Sequence, residues 1–351
     1  MLAPVTHILP LTTIRRERLL PAPGRLLIRK GQKVAAADPV AELDLQPEHM
    51  LLDIARGLGL PPEKADRQLQ YAVGEPVSEG SVIAGPVGFS KRVVRAPKAG
   101  RILAAGEGQV LLQVESPPFE LKAGLPGSVV ELLGERGVVV ETTGALVQGV
   151  WGNGRVDSGL LNVLLTAPDE ALTSDRLDVS QRGAVVLAGH CSDAQALKTA
   201  AELPVRGLIL ASLDPGLARL AARMEFPLIL LEGFGNRPMN TLAYRLLTTN
   251  ERREAAVNAE AWDPYRGARP EVVIPLPASA ELPIAGDVVS FNPGQTVRVL
   301  RAPYSGMTGS LAALRDEPAR LPNGLTAPAA EVRLENGELA LVPLANLEVL
   351  A

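Results

Sequence analysis

Three short runs hold most of the side chains able to do chemistry: Ala188 to Asp193 with His190 and Cys191, Ala211 to Asp214 with Ser212, and Glu232 to Arg237. A cysteine beside a histidine is the material of a nucleophile and its base. A glutamate and an arginine at the end of a strand can meet the opposite charges of a small polar ligand. Each residue also has a structural reading. Ser192 or Asp193 and Asp214 stand where helix N-caps belong, with Pro215 at a first helical position. Cys191 at a strand end reads as a small apolar filler. On a strand, His190 would point to the face opposite Cys191, against a catalytic pair, an objection that weakens if the chain curls after Gly189. The candidate ligand-binding set is therefore Ser212, Asp214, Glu232, Arg237, His190 and Cys191, with no residue assigned to catalysis, to a metal or to a cofactor. The glycines Gly149, Gly152 and Gly154 lack the Gly-Lys-Ser/Thr ending of a phosphate loop and read as a turn at a domain boundary.

These runs follow apolar segments that must position them. Ala184 to Leu187, Gly207 to Leu210 and Pro227 to Leu231 are strand candidates. Ser192 to Leu203, Pro215 to Met224 and Met239 to Ala259 are helix candidates. Continuous apolar strands alternating with helices predict a small parallel βαβαβα domain over residues 151–262, with its ligand edge beyond the carboxyl ends of the strands.

Upstream, two segments repeat. Gly31 to Val34 runs on to Val40 and Ala41, and Gly74 to Val77 runs on to Ile83 and Ala84, at equal offsets. Ala22 and Pro23, and again Ala96 and Pro97, lead into further strand candidates. Turn, strand, turn, strand is the rhythm of a small β-sandwich. Between the repeats, Met50, Leu51 and Ile54, then Ala65, Leu69 and Ala72, recur at helical steps on either side of Gly57, Gly59, Pro61 and Pro62. That pattern predicts a helical hairpin inserted at about residues 47–72. The spacing of residues 1–150 resembles biotinyl/lipoyl-type and sandwich-barrel hybrid domains. The resemblance implies a lipoyl-like β-domain whose hairpin tip can carry a modified lysine. Lys91, the residue nearest that place, lacks the flanking pattern and lies closer to the turn, so it is expected to be unmodified.

Asp263 to Asp287 is proline-rich and reads as a linker. Beyond it, Val297 and Val299 alternate, Pro303 and Tyr304 form a Pro-aromatic turn, and Gly306 and Gly309 follow. Asn336 and Gly337 then sit between the alternating segments Glu331 to Glu335 and Glu338 to Val342, a strong hairpin signal. Residues 288–351 resemble KOW domains of NusG-like and ribosomal proteins, which implies an SH3-like β-barrel. Such domains dock on RNA, ribosomes or proteins. Here Arg298, Arg301, Arg315, Arg320 and Arg333 face at least as many carboxylates, so protein docking is favoured over RNA, with Tyr304 and Met307 as candidate partner contacts. Both also have a reading as caps of the barrel core.

The expected fold class is thus multidomain α/β and β: a lipoyl-like sandwich with a helical-hairpin insertion, a parallel βαβαβα domain and a KOW barrel. The net charge of −4 argues against a protein devoted to a nucleic-acid backbone. One cysteine excludes an intrachain disulfide. Residues 1–20 carry Pro4, Pro10 and a charged run where a signal peptide needs apolar residues, and no window is apolar enough to span a membrane. These features predict a cytoplasmic protein. The function expected is a non-catalytic adaptor or assembly protein docking a protein partner through its β-domains. The alternatives are a small-molecule sensor or enzyme using the central domain, and a transcription- or translation-associated RNA binder.

Overall fold

The structure is a computed structural model that describes residues 2–44, 47–89, 91–115, 117–263, 267–278, 282, 284–286 and 288–351. It corrects the expected fold class. Strands take up 47% of the chain and helices 13%, so the protein is mostly β rather than part α/β. It divides into two compact units, one of Met1–Pro21, Leu26–Ala41 and Leu121–Ala351, the other of Ala22–Arg25 and Glu42–Glu120.

In the larger unit the predicted apolar runs are strands Val185–Cys191, Gly207–Leu213 and Leu228–Phe234, paired in parallel. Successive residues face two different cores. Val185, Leu187, Ile209, Ile229 and Leu231 pack with Ala243 and Leu247 of helix Thr241–Thr249. Val186, Ala188, Leu208, Leu210, Leu228 and Leu230 pack with Ala196, Leu197 and Ala200 of helix Ala194–Glu202. Burial on both faces explains the continuous apolar runs, and each fully buried Leu or Ile contributes about 2 kcal/mol.

These strands do not form the free-standing βαβαβα domain expected of them. Strand Val156–Val163 pairs in parallel with Val185–Cys191 through Leu161, Asn162 and Val163, and antiparallel with Glu254–Asn258 through Val156 to Leu160. The sheet then continues antiparallel through Glu271–Pro275 and Gly137–Gln148, to which the long strand Ile8–Leu19 also pairs, making one mixed sheet of twelve strands. Two predicted elements change as a result. The helix expected to reach Ala259 ends at Thr249, and Ala255, Ala256 and Val257 are buried in a strand, because cross-strand pairing overrides the helix preference of alanine. Within the supposed linker, Val272, Val273 and Ile274 are buried strand residues; its residues 264–266, 279–281, 283 and 287 lie outside the described ones.

The C-terminal residues do not close into an SH3-like barrel by themselves. Among the described residues they form an open seven-stranded sheet in the order Val288–Ser290, Leu2–Thr6, Leu347–Leu350, Thr296–Val299, Thr308–Leu314, Ala329–Leu334, Leu339–Pro343. The N-terminal strand Leu2–Thr6 lies parallel to Leu347–Leu350, with Val5 opposite Val349. Its Ala3 joins Val297, Leu311, Val332, Leu347 and Val349 in the core. The Asn336 and Gly337 turn stands between the last two strands of the sheet, with Gly337 at a φ of 86°.

In the smaller unit the helical-hairpin insertion is absent. His49–Asp53 is a strand paired antiparallel with Gln109–Val114, and the helices Ile54–Leu58 and Pro62–Asp66 are five residues each, little more than one turn. Within the strand of the first stretch and at its end, Met50, Leu52 and Ile54 pack inward, a period of two that also fitted part of a helical stripe. Strands Gly100–Gly106 and Pro76–Val77 and the hairpin Val82–Val87 with Arg92–Arg95 also belong to this unit. Lys91 is exposed at the turn of that hairpin with a φ of 46°.

One close approach in the large sheet gives a direct test of its register. A Cβ on Gly144 would lie 2.2 Å from the carbonyl oxygen of Ile274 on the neighbouring strand. Gly144→Ala is expected to lower unfolding stability by about 2 kcal/mol or more, read as a lower urea midpoint at an unchanged slope.

Candidate functional site

The carboxyl ends of the parallel strands bring some of the candidate residues together. Ser212 is fully buried, and its hydroxyl donates to the Arg237 carbonyl at 2.7 Å while accepting the Arg237 N–H at 3.0 Å. His190 Nδ1 lies 3.0 Å from the same oxygen. A hydroxyl has one proton, and here the carbonyl takes it, so Nδ1 must carry the hydrogen and donate to Ser212. A histidine that activates a serine needs the reverse, a lone pair facing the hydroxyl. The trio therefore locks the loop after Phe234 onto the neighbouring strand rather than forming a nucleophile.

Cys191 and Asp214 are not part of that group. Cys191 is wholly buried on the other face of its strand, and its thiol donates to the Asp193 carbonyl at 3.5 Å. Desolvation pushes the thiol up to about 11, which keeps it protonated and inert. Asp214 caps the 3-10 turn Pro215–Leu217 by accepting the Gly216 N–H at 2.7 Å. Asp193 caps Ala194–Glu202 in the same way through Gln195, and those backbone N–H groups hold its carboxyl below the usual range.

Glu232 and Arg237 are both engaged. Arg237 donates to the Glu232 carbonyl and to Ser305 Oγ, each at 3.3 Å. Glu232 accepts from the Asn240 N–H at 3.0 Å and from the Asn240 side-chain amide, so the strand end holds the start of helix Thr241–Thr249. Its other oxygen meets Arg298 at 2.7 Å. Arg298 stands on the seven-stranded sheet with its side chain 4% exposed, and it also holds Glu348 at 2.7 and 3.2 Å. Glu348 in turn accepts from Thr6 and, at 3.0 Å, from Arg269. Arg298 thus ties the parallel strands to the C-terminal sheet.

The electrostatics follow from this packing. Burial opposes the Arg298 charge, but Glu232 and Glu348 outweigh it and raise the guanidinium above its ordinary value. Burial likewise pushes Glu348 up, yet Arg298, the Thr6 hydroxyl and Arg269 together bring it below the usual carboxylate range. Sequence reasoning placed Arg298 and Glu348 among the charges on a solvated module. The signal that could have found them is a charge inside an apolar run: Arg298 between Val297 and Val299, Glu348 between Leu347 and Val349.

The candidate docking residues pack inward. Tyr304 and Met307 are half-buried against the core of the seven-stranded sheet. The Tyr304 hydroxyl donates to Glu338 at 2.5 Å, which raises it above its ordinary range. A cavity of about 440 Å³ is lined by Arg15, Arg16, Arg18 and Arg269, each of which holds a carboxylate, in turn Glu131, Glu271, Glu260 and Glu348. Among the described residues no group of three or more His, Cys, Asp and Glu could hold a metal ion, and no helix is long and apolar enough to cross a membrane. No family model and no curated protein matches the chain.

The depressed Glu348 gives a pH dependence whose sign is fixed. A carboxylate lower in the folded than in the unfolded chain stabilises fully above its unfolded value of about 4.3, and that stability is lost as pH falls through the folded value. Melting temperature should therefore drop below about pH 4.3, and Glu348→Gln, less stable at pH 7, should show a shallower acid limb. An equal acid limb in the variant would contradict this account.

Proposed function

We propose that the chain is a non-catalytic adaptor or assembly protein that docks a protein partner through its β-sheet modules. The observation that carries this reading is the mutual satisfaction of the candidate polar groups. Ser212 is used by His190 and Arg237, Glu232 by Arg298 and Asn240, Asp214 by a helix end, and Cys191 is a buried thiol. Groups held this way position elements and are poorly placed to turn over a substrate.

A docking surface is suggested by the smaller unit. Between Glu79 and Glu107 the chain carries Lys91, Arg92, Arg95, Lys98 and Arg101 and no carboxylate, against a net charge of −4 for the whole. Phe89 stands fully exposed at the turn of the hairpin Val82–Val87 and Arg92–Arg95, beside Lys91 and Arg92. An exposed aromatic within a cation-rich stretch fits an acidic protein surface with an apolar recess, since aromatics and arginines anchor interfaces and charge complementarity steers encounter.

The test is affinity purification of the full chain from its native host, followed by titration of the recovered partner against wild type and Phe89→Ala. Micromolar or tighter binding to an acidic partner, weakened about tenfold or more in the variant, supports the reading. Binding to RNA instead, steeply weakened by salt, or turnover of a metabolite lost on mutating Ser212 or Glu232, overturns it.

A further inference from the structure

We infer that the open edge of strand Arg92–Arg95 docks an acidic segment of a protein partner, which adds to the hairpin as a third strand. This rests on the protein-docking reading of the same hairpin and names the contact that makes it. In the two-stranded sheet of Val82–Val87 and Arg92–Arg95 one edge is covered. The Ile83 carbonyl accepts the Gln70 N–H at 2.9 Å, and the Gly85 N–H donates to the Gln68 carbonyl at 3.0 Å. The other edge is open. Val94 pairs with Ala84, and Arg92 with Val87. Arg95 lies opposite Val82 in a pair bonded through the flanking residues, the Ala96 N–H donating to the Ser81 carbonyl at 2.8 Å. Backbone groups turn to alternate sides along a strand, so those of Val93 and Arg95 point away from the hairpin. Among the described residues no other strand meets them. An unpaired edge is a template for a further strand, main-chain hydrogen bonds giving affinity and side chains specificity.

Charge selects the occupant. Of the five cations between Glu79 and Glu107, only Lys98 holds a carboxylate among the described residues, Glu48 at 2.7 Å. Arg95 is exposed and donates to the Gly80 carbonyl at 2.8 Å. The exposed Arg92 guanidinium lies against Gly59, at the end of helix Ile54–Leu58. Both keep their charge beside the open edge with no carboxylate to offset it. A second copy of this chain would bring its own Lys91, Arg92 and Arg95 to that edge, and like charges facing across strands are destabilising. A strand carrying glutamate or aspartate reverses the sign. Its main chain bonds Val93 and Arg95 while its carboxylates meet the two arginines. Phe89 stands outside the strand, at the hairpin turn, so the aromatic and the strand edge are separate contacts.

The experiment is an amide NMR titration of the full chain with the peptide acetyl-Glu-Val-Glu-Thr-Glu-Val-Glu-amide, and with its counterpart carrying lysine for each glutamate. Saturable binding of the acidic peptide is expected at a dissociation constant of about 1 mM or tighter. The Val93 and Arg95 amides should shift and slow in hydrogen exchange, a readout that does not depend on any variant folding. The lysine peptide should bind at least about tenfold more weakly. Val93→Pro removes an outward N–H and no bond to strand Val82–Val87, and should weaken the acidic peptide about tenfold. Arg95→Gln should weaken it several-fold, and Lys64→Gln on helix Pro62–Asp66 not at all. No saturable binding of the acidic peptide, unmoved Val93 and Arg95 amides, or equal affinity for the two peptides would overturn the inference. A native partner that is lost with Phe89→Ala yet leaves the Val93 and Arg95 amides unprotected would overturn strand addition while the protein-docking reading stands.

Discussion

Arg298 is the residue on which the larger unit depends. A guanidinium 4% exposed stays charged and destabilises the fold unless it is paired, and each carboxylate it holds comes from a different part of the chain: Glu232 from the end of a parallel strand, Glu348 from the C-terminal strand. Glu348 recruits Thr6 from the first strand and Arg269 from the segment before Glu271–Pro275. Five residues from places far apart in sequence meet because none of the three main charges is tolerable in the interior alone. The same ions explain why the N-terminal strand is part of the C-terminal sheet: Thr6 and Glu348 sit on adjacent parallel strands and share a hydrogen bond.

That constraint also decides what the strand ends can do. Ligand sites in parallel sheets form where polar groups at the carboxyl edge are left to meet something from outside. Here Glu232 faces inward to Arg298 and Asn240, and the His190, Ser212 and Arg237 trio closes on itself. The polar edge has become the joint between two sheets.

Much of the local structure was legible in the residues. The apolar runs around Val186, Ile209 and Ile229 mark strands because both faces of those strands are buried, and Asp193 and Asp214 read as caps because short side-chain oxygens before a helical run satisfy N–H groups. What could not be read was pairing across the chain. No local pattern says that Val156–Val163 pairs in parallel at one end and antiparallel at the other, or that Leu2–Thr6 joins a sheet formed mainly by residues beyond 288. The alanines at 255 and 256 and the residues at 50 to 54 read as helix for the same reason: their spacing suited two periods, and only the neighbouring strand chose between them. At the candidate site, Glu232 and Arg237 were found by their position, but the Glu232 partner Arg298 is 66 residues away, and its charge looked like surface.

The most direct measurement is equilibrium urea unfolding of Arg298→Met beside the triple variant Arg298→Met, Glu232→Gln, Glu348→Gln. Removing the cation alone strands two buried carboxylates and should cost about 3 to 5 kcal/mol, while neutralising all three should recover a substantial part of that loss. A single variant within about 0.5 kcal/mol of wild type, or a triple variant less stable than the single one, would contradict the claim that this buried ion network joins the two sheets.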